Sequence, residues 1–198
     1  MIPVTCYTNC DTVELFLNGR SLGIKGYEFP RLGMEGTYGN YPERARVIRT
    51  TADLHLTWDV PYEAGTLKAV GIKDGKIAAT GQVVTTGDAV RLAISVDRQT
   101  LRADRHDVVH ITVAVQDGHG NLLLTADHDV DFQVEGEGRL IGVDNGDPFN
   151  HEPYQANRRR AFNGLCLGIV QSTERRGAIR VIVRSPSLQS AEVALGTI

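Results

Sequence analysis

The residues best placed to do chemistry lie in one polar stretch. Asp144, Asp147 and Glu152 fall between the apolar segment Leu140 to Val143 and the point near Phe162 where apolar alternation resumes. Paired carboxylates suggest glycoside hydrolysis, which needs two of them about 5–5.5 Å apart in retaining enzymes or roughly 6.5–9.5 Å apart in inverting ones. Asp144 and Asp147 flank an Asn-Gly turn, however, and the side chains of turn aspartates cap backbone N–H groups. Capping is the role we expect of them. Calcium is a second chemistry for oxygen ligands on a loop, but Asp144-Asn-Gly-Asp147 has neither the spacing nor the bidentate glutamate of a calcium loop. Arg158-Arg-Arg160 could clamp a carboxylate or phosphate. Three consecutive charges cannot all face one ligand, so pairing with the loop's own acids or with another domain is the expectation.

The rest of the chain adds no reactive constellation. The six histidines form no HxH pattern, and there is no nucleophile elbow, phosphate loop or dinucleotide fingerprint. Cys6, Cys10 and Cys166 are an odd number in no metal spacing. Cys6 and Cys10 would be too far apart to bond if one strand ran between them, so buried free thiols are expected. No catalytic residue, metal or cofactor is assigned from these residues.

The elements that would hold the polar stretch read as strands. Val13, Leu15 and Leu17 alternate with Glu14, Phe16 and Asn18, and Asn18-Gly19 marks a tight hairpin to Arg20–Ile24. Leu54, Leu56, Trp58 and Val60 share a face. Trp58 is the one tryptophan, and its parity with three aliphatics makes it a core residue before it makes it a ligand platform. Thr66 to Ile72 and Lys76 to Thr85 form a hairpin around Asp74-Gly75. After Thr85-Thr-Gly-Asp88 the rhythm restarts in about seven segments, beginning near Val90, Val109, Val130, Leu140, Leu165, Ile179 and Val193. No segment has a helical period. The expected fold is all-β, with two consecutive immunoglobulin-like β-sandwich domains at 1–87 and 88–198. Residues 25–53 read as a long irregular insertion in the first, punctuated by glycine and by Tyr27, Tyr38 and Tyr41.

Composition narrows the partners. The chain has 198 residues, 41% hydrophobic, a net charge of −3 and a pI near 6.1, which argue against a nucleic-acid surface or an anionic membrane. No apolar run approaches the roughly 18–20 residues that span a bilayer. Met1-Ile-Pro3 leads straight into strand-like sequence without a signal peptide, so an excised piece with an added Met1 is expected. The stretch 144–164 is longer than the roughly 12–15 residues usual for a structureless loop and holds Phe149, Tyr154 and two prolines. We read it as ordered and docked onto something, with Asp144, Asn145, Asp147, Tyr154, Arg158, Phe162 and Asn163 as the candidate docking residues.

Two blocks carry a family resemblance. Thr12-Val-Glu-Leu-Phe-Leu-Asn-Gly-Arg-Ser-Leu-Gly23, followed by Leu56-Thr-Trp-Asp-Val-Pro-Tyr-Glu-Ala-Gly-Thr-Leu-Lys-Ala-Val70, resembles a module that follows the catalytic barrel in family 2 glycoside hydrolases of the β-galactosidase type. Ile141-Gly-Val-Asp-Asn-Gly-Asp-Pro148, with Arg159-Arg-Ala-Phe-Asn-Gly-Leu165, is similar to the immunoglobulin-like C-terminal domain after that module. The resemblance covers most of the chain, and residues 25–53 look longer than the usual connection. It implies a parent enzyme that is a retaining exo-glycosidase acting on β-galactosides, with its two catalytic glutamates in a barrel outside this sequence. No catalytic residue is therefore carried over to any position here. The implied partners are the barrel and other domains of the parent chain, with a homo-oligomer formed through the parent as a further expectation. The parent would be periplasmic or secreted in bacteria. A carbohydrate-binding module is the rival reading, with Tyr27, Tyr38, Tyr41, Phe149 and Tyr154 as sugar-contact aromatics. A pair of adhesin-like spacer domains is a third.

Overall fold

A computed structural model describes residues 1–27 and 55–198, and all its regular structure among them is β. The chain divides into two units, Met1–Thr85 and Thr86–Ile198.

Unit 1 has six strands: β1 (Ile2–Cys6), β2 (Thr12–Leu17), β3 (Arg20–Gly26), β4 (Leu56–Val60), β5 (Thr66–Lys73) and β6 (Lys76–Val84). β1 and β4 pair antiparallel as a two-stranded sheet, and the other four run in the order β3-β2-β5-β6. Period-2 alternation sends Val13, Leu15 and Leu17 of β2 and Leu56, Trp58 and Val60 of β4 into one core. Trp58 is 5% exposed, so it is a core residue. Asn18-Gly19 and Asp74-Gly75 both take positive φ (51° and 79°; 50° and 71°), the geometry of two-residue hairpin turns that match strand twist.

Unit 2 has nine strands: β7 (Arg91–Val96), β8 (Thr100–Leu101), β9 (Val108–Gln116), β10 (Asp129–Gly136), β11 (Gly138–Asp144), β12 (Arg158–Arg160), β13 (Leu165–Ser172), β14 (Gly177–Arg184) and β15 (Ala191–Thr197). They form two facing sheets, β11-β13-β9-β7 and β12-β10-β14-β15-β8, in an immunoglobulin-like sandwich. Val109, Ile111, Val113 and Val115 of β9 oppose Val130, Phe132, Ile179, Val181 and Val183 in its core. The chain passes from one sheet to the other between β10 and β11. Gly136 makes that corner at φ +86°, where a Cβ would lie 2.1 Å from the Ala178 carbonyl oxygen. Two of the nine strands have no counterpart among the seven alternating segments of the sequence. β8 is only two residues long, and β12 is the triple arginine itself.

Candidate functional site

β11 ends at Asp144, and the chain returns to the opposite sheet as β12, pairing Arg158–Arg160 antiparallel with β10. The pairing decides what each arginine does. Arg159 lies opposite Val130, an inward-facing core residue, and is itself 1% exposed. Arg158 and Arg160 point outward, to the Asp129 and Asp127 carboxylates, each at 2.6 Å. Structural pairing thus accounts for all three.

Arg159 organises the intervening loop. Its guanidinium donates to Asn150 Oδ1 (2.7 Å) and to the carbonyls of Val143 (2.9 Å), Pro153 (3.2 Å) and Glu152 (3.3 Å). The Tyr154 ring stacks with its centroid 5.1 Å away. The Val143 N–H donates to the Tyr154 carbonyl at 2.8 Å, fastening the loop to the edge of β11.

Five other polar side chains of the loop, Asp144, Asn145, Asp147, Asn150 and Glu152, are also spent on the loop. Asp144 Oδ1 accepts from the N–H groups of Asn145 (2.7 Å) and Gly146 (3.2 Å). Asn145 accepts from the Asp147 N–H at 3.1 Å and donates to the Arg160 carbonyl at 2.9 Å. Asp147 accepts from the Phe149 N–H, and Asn150 from the Glu152 N–H. These are the Asx caps that turn chemistry leads one to expect. At Asn145-Gly146 only the glycine is left-handed (φ +73°), so this turn is not of the hairpin type. Glu152 accepts from the Asn150 amide (3.1 Å) and the Arg160 N–H (3.2 Å), 3.8 Å from the Arg159 guanidinium. Burial opposes its charge, but these donors and the two guanidiniums outweigh it and hold its carboxyl below the usual range.

The aromatics do the reverse. Phe149 is 83% exposed and Tyr154 62%. Phe162 is partly exposed on the next turn, where Asn163 and Gly164 take φ of 50° and 77° and Phe162 and Leu165 exchange both backbone hydrogen bonds. Asn163 is therefore the first residue of a two-residue hairpin turn. Exposed Leu124 lies on the neighbouring segment, which receives the Gly164 N–H at the Ala126 carbonyl.

The loop brings together Asp144, Asn145, Asp147, Tyr154, Arg158, Phe162 and Asn163, all singled out from the sequence. Reading the sequence missed the central Arg159 and its acceptor Asn150. The available signal was parity: Arg159 matches Ala161, which is also buried. Tyr27 sits in unit 1, half-buried against the core, its hydroxyl donating to the Thr8 carbonyl at 3.0 Å. Tyr38 and Tyr41, and most of the insertion read at 25–53, lie outside the described residues. Among the described residues no group of histidine, cysteine or acidic side chains could hold a metal ion. No described helix is long and apolar enough to cross a membrane.

A two-unit, all-β chain whose second unit is an immunoglobulin-like sandwich with an internally bonded loop is the class these features define. Residues 92–194 match the glycoside hydrolase family 2 C-terminal domain 5, and residues 1–79 match a domain of unknown function (DUF4982). The chain belongs to the glycoside hydrolase family 2 C-terminal domain 5 family. It is 34% identical over 191 residues to beta-galactosidase BoGH2A of Bacteroides ovatus, covering 96% of this chain and 20% of that protein. Among solved structures it resembles a family 2 glycosyl hydrolase from Bacteroides cellulosilyticus (TM-score 0.82, 31% identity, 99% of this chain and 23% of that one). It also resembles a beta-glycosidase from Bacteroides vulgatus (TM-score 0.83, 33% identity, 98% of this chain and 22% of that one). The chain thus spans about a fifth of the length of these relatives.

Proposed function

We propose that this chain is a non-catalytic accessory region of a longer family 2 glycosidase of the β-galactosidase type, and that the loop 144–164 docks it onto another part of that polypeptide, the catalytic barrel first of all. One observation carries this reading. The loop turns the side chains of Asp144, Asn145, Asp147, Asn150 and Arg159 onto its own backbone and its aromatics outward. A solvated loop does the opposite, and a rigid backbone presenting Phe149 and Tyr154 suits a hydrophobic anchor with little ordering cost on docking. The region braces the barrel and leaves the chemistry, a retaining hydrolysis, to residues outside it. Export of the longer enzyme from the bacterial cytoplasm is part of the same reading, and cell fractionation tests it.

Hydrogen exchange of the loop, measured in the longer enzyme and in the 198-residue chain, is the direct test. Phe149, Tyr154 and their neighbours should be more protected in the longer enzyme. Equal, fast exchange in both would sink the docking role. Carbohydrate binding is the second reading, favoured by the Tyr154 ring, which Arg159 holds in place while it stays accessible. Titrating the chain with galactose, lactose and plant oligosaccharides tests it. Saturation at or below about 1 mM, roughly −4 kcal/mol, would establish a binding module.

A further inference from the structure

An edge strand is a template for pairing, and proteins blunt it with charge, proline or cover. Among the described residues β6 lies at the edge of the β3-β2-β5-β6 sheet, and Lys76 to Val83 are exposed on it, with Val83 at 68%. Residues 77–87 contain no charged residue and no proline. Among the described residues the one protective device is a bulge. Gly71 pairs with Ala79 and Ile72 with Ile77, so Ala78 is an extra residue. Beyond it, Ala79 to Thr85 run without interruption.

The direction of the free groups follows from the register. Thr85 donates to the Gly65 carbonyl at 2.8 Å, which makes Gly65 and Thr85 a hydrogen-bonded pair. The two-residue repeat then turns Val83 and Gly81 toward β5, and leaves the N–H and C=O groups of Thr80, Gln82 and Val84 facing away from the sheet.

We propose that β6 pairs antiparallel with β6 of a second copy of this chain, joining two four-stranded sheets into one. One register pairs the whole uninterrupted stretch with itself, and it centres on Gln82. It sets Gln82 against Gln82, and Thr80 against Val84, so the outward-facing groups meet each other. On the inner face it sets Val83 of each copy against Gly81 of the other, where the space beside Gly81 is open to 4 Å. Val83 also rims an apolar crevice of about 230 Å³ with Leu67, Val60, Tyr62 and Ile2, so the contact buries apolar surface beyond the strand itself. The occupant is a second copy because the stretch is uncharged and self-complementary. The nearest charge on the strand, Lys76, lies before the bulge, and antiparallel pairing places the two lysines at opposite ends. The loop of unit 2 takes no part, so this pairing and the docking role stand or fall separately.

Sedimentation equilibrium of the 198-residue chain tests the pairing. The chain should approach twice its mass of 21.6 kDa in the micromolar range. Gln82→Pro removes an N–H that faces away from β5, which an edge strand tolerates, and should yield a monomer with unchanged β circular dichroism. Gln82→Lys and Gln82→Glu should each be monomeric, and an equimolar mixture of the two should recover the dimer. This charge swap decides the matter even if the proline variant misfolds. A wild-type chain that stays monomeric overturns the proposal and returns the edge to another segment of the longer polypeptide. A dimer indifferent to Gln82→Pro and to both charged variants overturns it too.

Discussion

The Arg159 guanidinium donates to the Val143 carbonyl at 2.9 Å, across sixteen positions of the sequence. This contact closes the loop at its base. Val143 ends the buried part of β11 and Arg159 is the middle of β12, so one side chain ties the edges of the two facing sheets. A buried guanidinium is costly unless its donors are met. Here carbonyls and the Asn150 amide oxygen meet those of both terminal nitrogens, with Glu152 nearby, while the buried Nε has no hydrogen-bond partner among the described residues.

Arg159→Met should cost about 2–4 kcal/mol, because it leaves several buried acceptors unpaired. Arg158→Met removes only an exposed ion pair and should cost at most about 1 kcal/mol. Denaturant unfolding measures both. Hydrogen exchange should show faster amides at Asn145, Phe149 and Glu152 in the Arg159 variant alone.

Acid should weaken unit 2 through Asp117. This buried carboxylate accepts from the Asn121 side chain and, at its other bonds, from the N–H groups of Asn121, His119 and Gly87. The Asn121 amide leads in holding its carboxyl far below the usual range, burial opposes, and the backbone donors add to the lowering. Its folded pKa lies below the unfolded value of about 3.9, so its contribution is complete above that pH and is lost as pH falls toward the folded value. Glu152 acts in the same sense. Calorimetric Tm should be flat near neutrality and fall below about pH 4, with a shallower acid limb in Asp117→Asn.

Gly164→Ala should destabilise unit 2 by more than about 1 kcal/mol. The position has φ +77°, and an added Cβ would sit 2.2 Å from the Leu123 carbonyl oxygen. Gly146→Ala has a similar φ of +73° but open space around it, and should cost less. Comparing their denaturation midpoints separates backbone strain from collision.

The Cys166 thiol should resist modification in the native chain. Burial pushes it up to about 12, against the pull of the Arg159 guanidinium, so almost no thiolate forms at about pH 8. Timed reaction with a chromogenic disulfide should release the Cys166 equivalent only on unfolding. Fast native labelling at Cys166 would contradict this burial.

Much of the fold was legible because alternation and turn chemistry act locally. Val109, Ile111, Val113 and Val115 announced β9, and Asn18-Gly19 and Asp74-Gly75 announced their hairpins. Alternation reports which side chains share a face, and is silent on whether anything covers it. Ile77 and Val83 are apolar residues of a strand, yet they are 70% and 68% exposed. The loop was legible as ordered from its composition. Its organiser was not, because three consecutive arginines are chemically equal until pairing with Val130 of β10 turns the middle one inward. β1 and β4 pair across 50 to 58 positions of sequence, from Cys6 with Leu56 to Ile2 with Val60, and no local signal records that partnership.

Trp58 is the chain's one tryptophan, and it is buried in the core of unit 1. The molecule is therefore optically lopsided. Indole emission reports the melting of the first sandwich and is blind to the second, whereas far-ultraviolet ellipticity sees both. If the two curves superimpose, the sandwiches unfold as one cooperative block; if they part, each has a melting point of its own, and a single spectrometer can assign which is which.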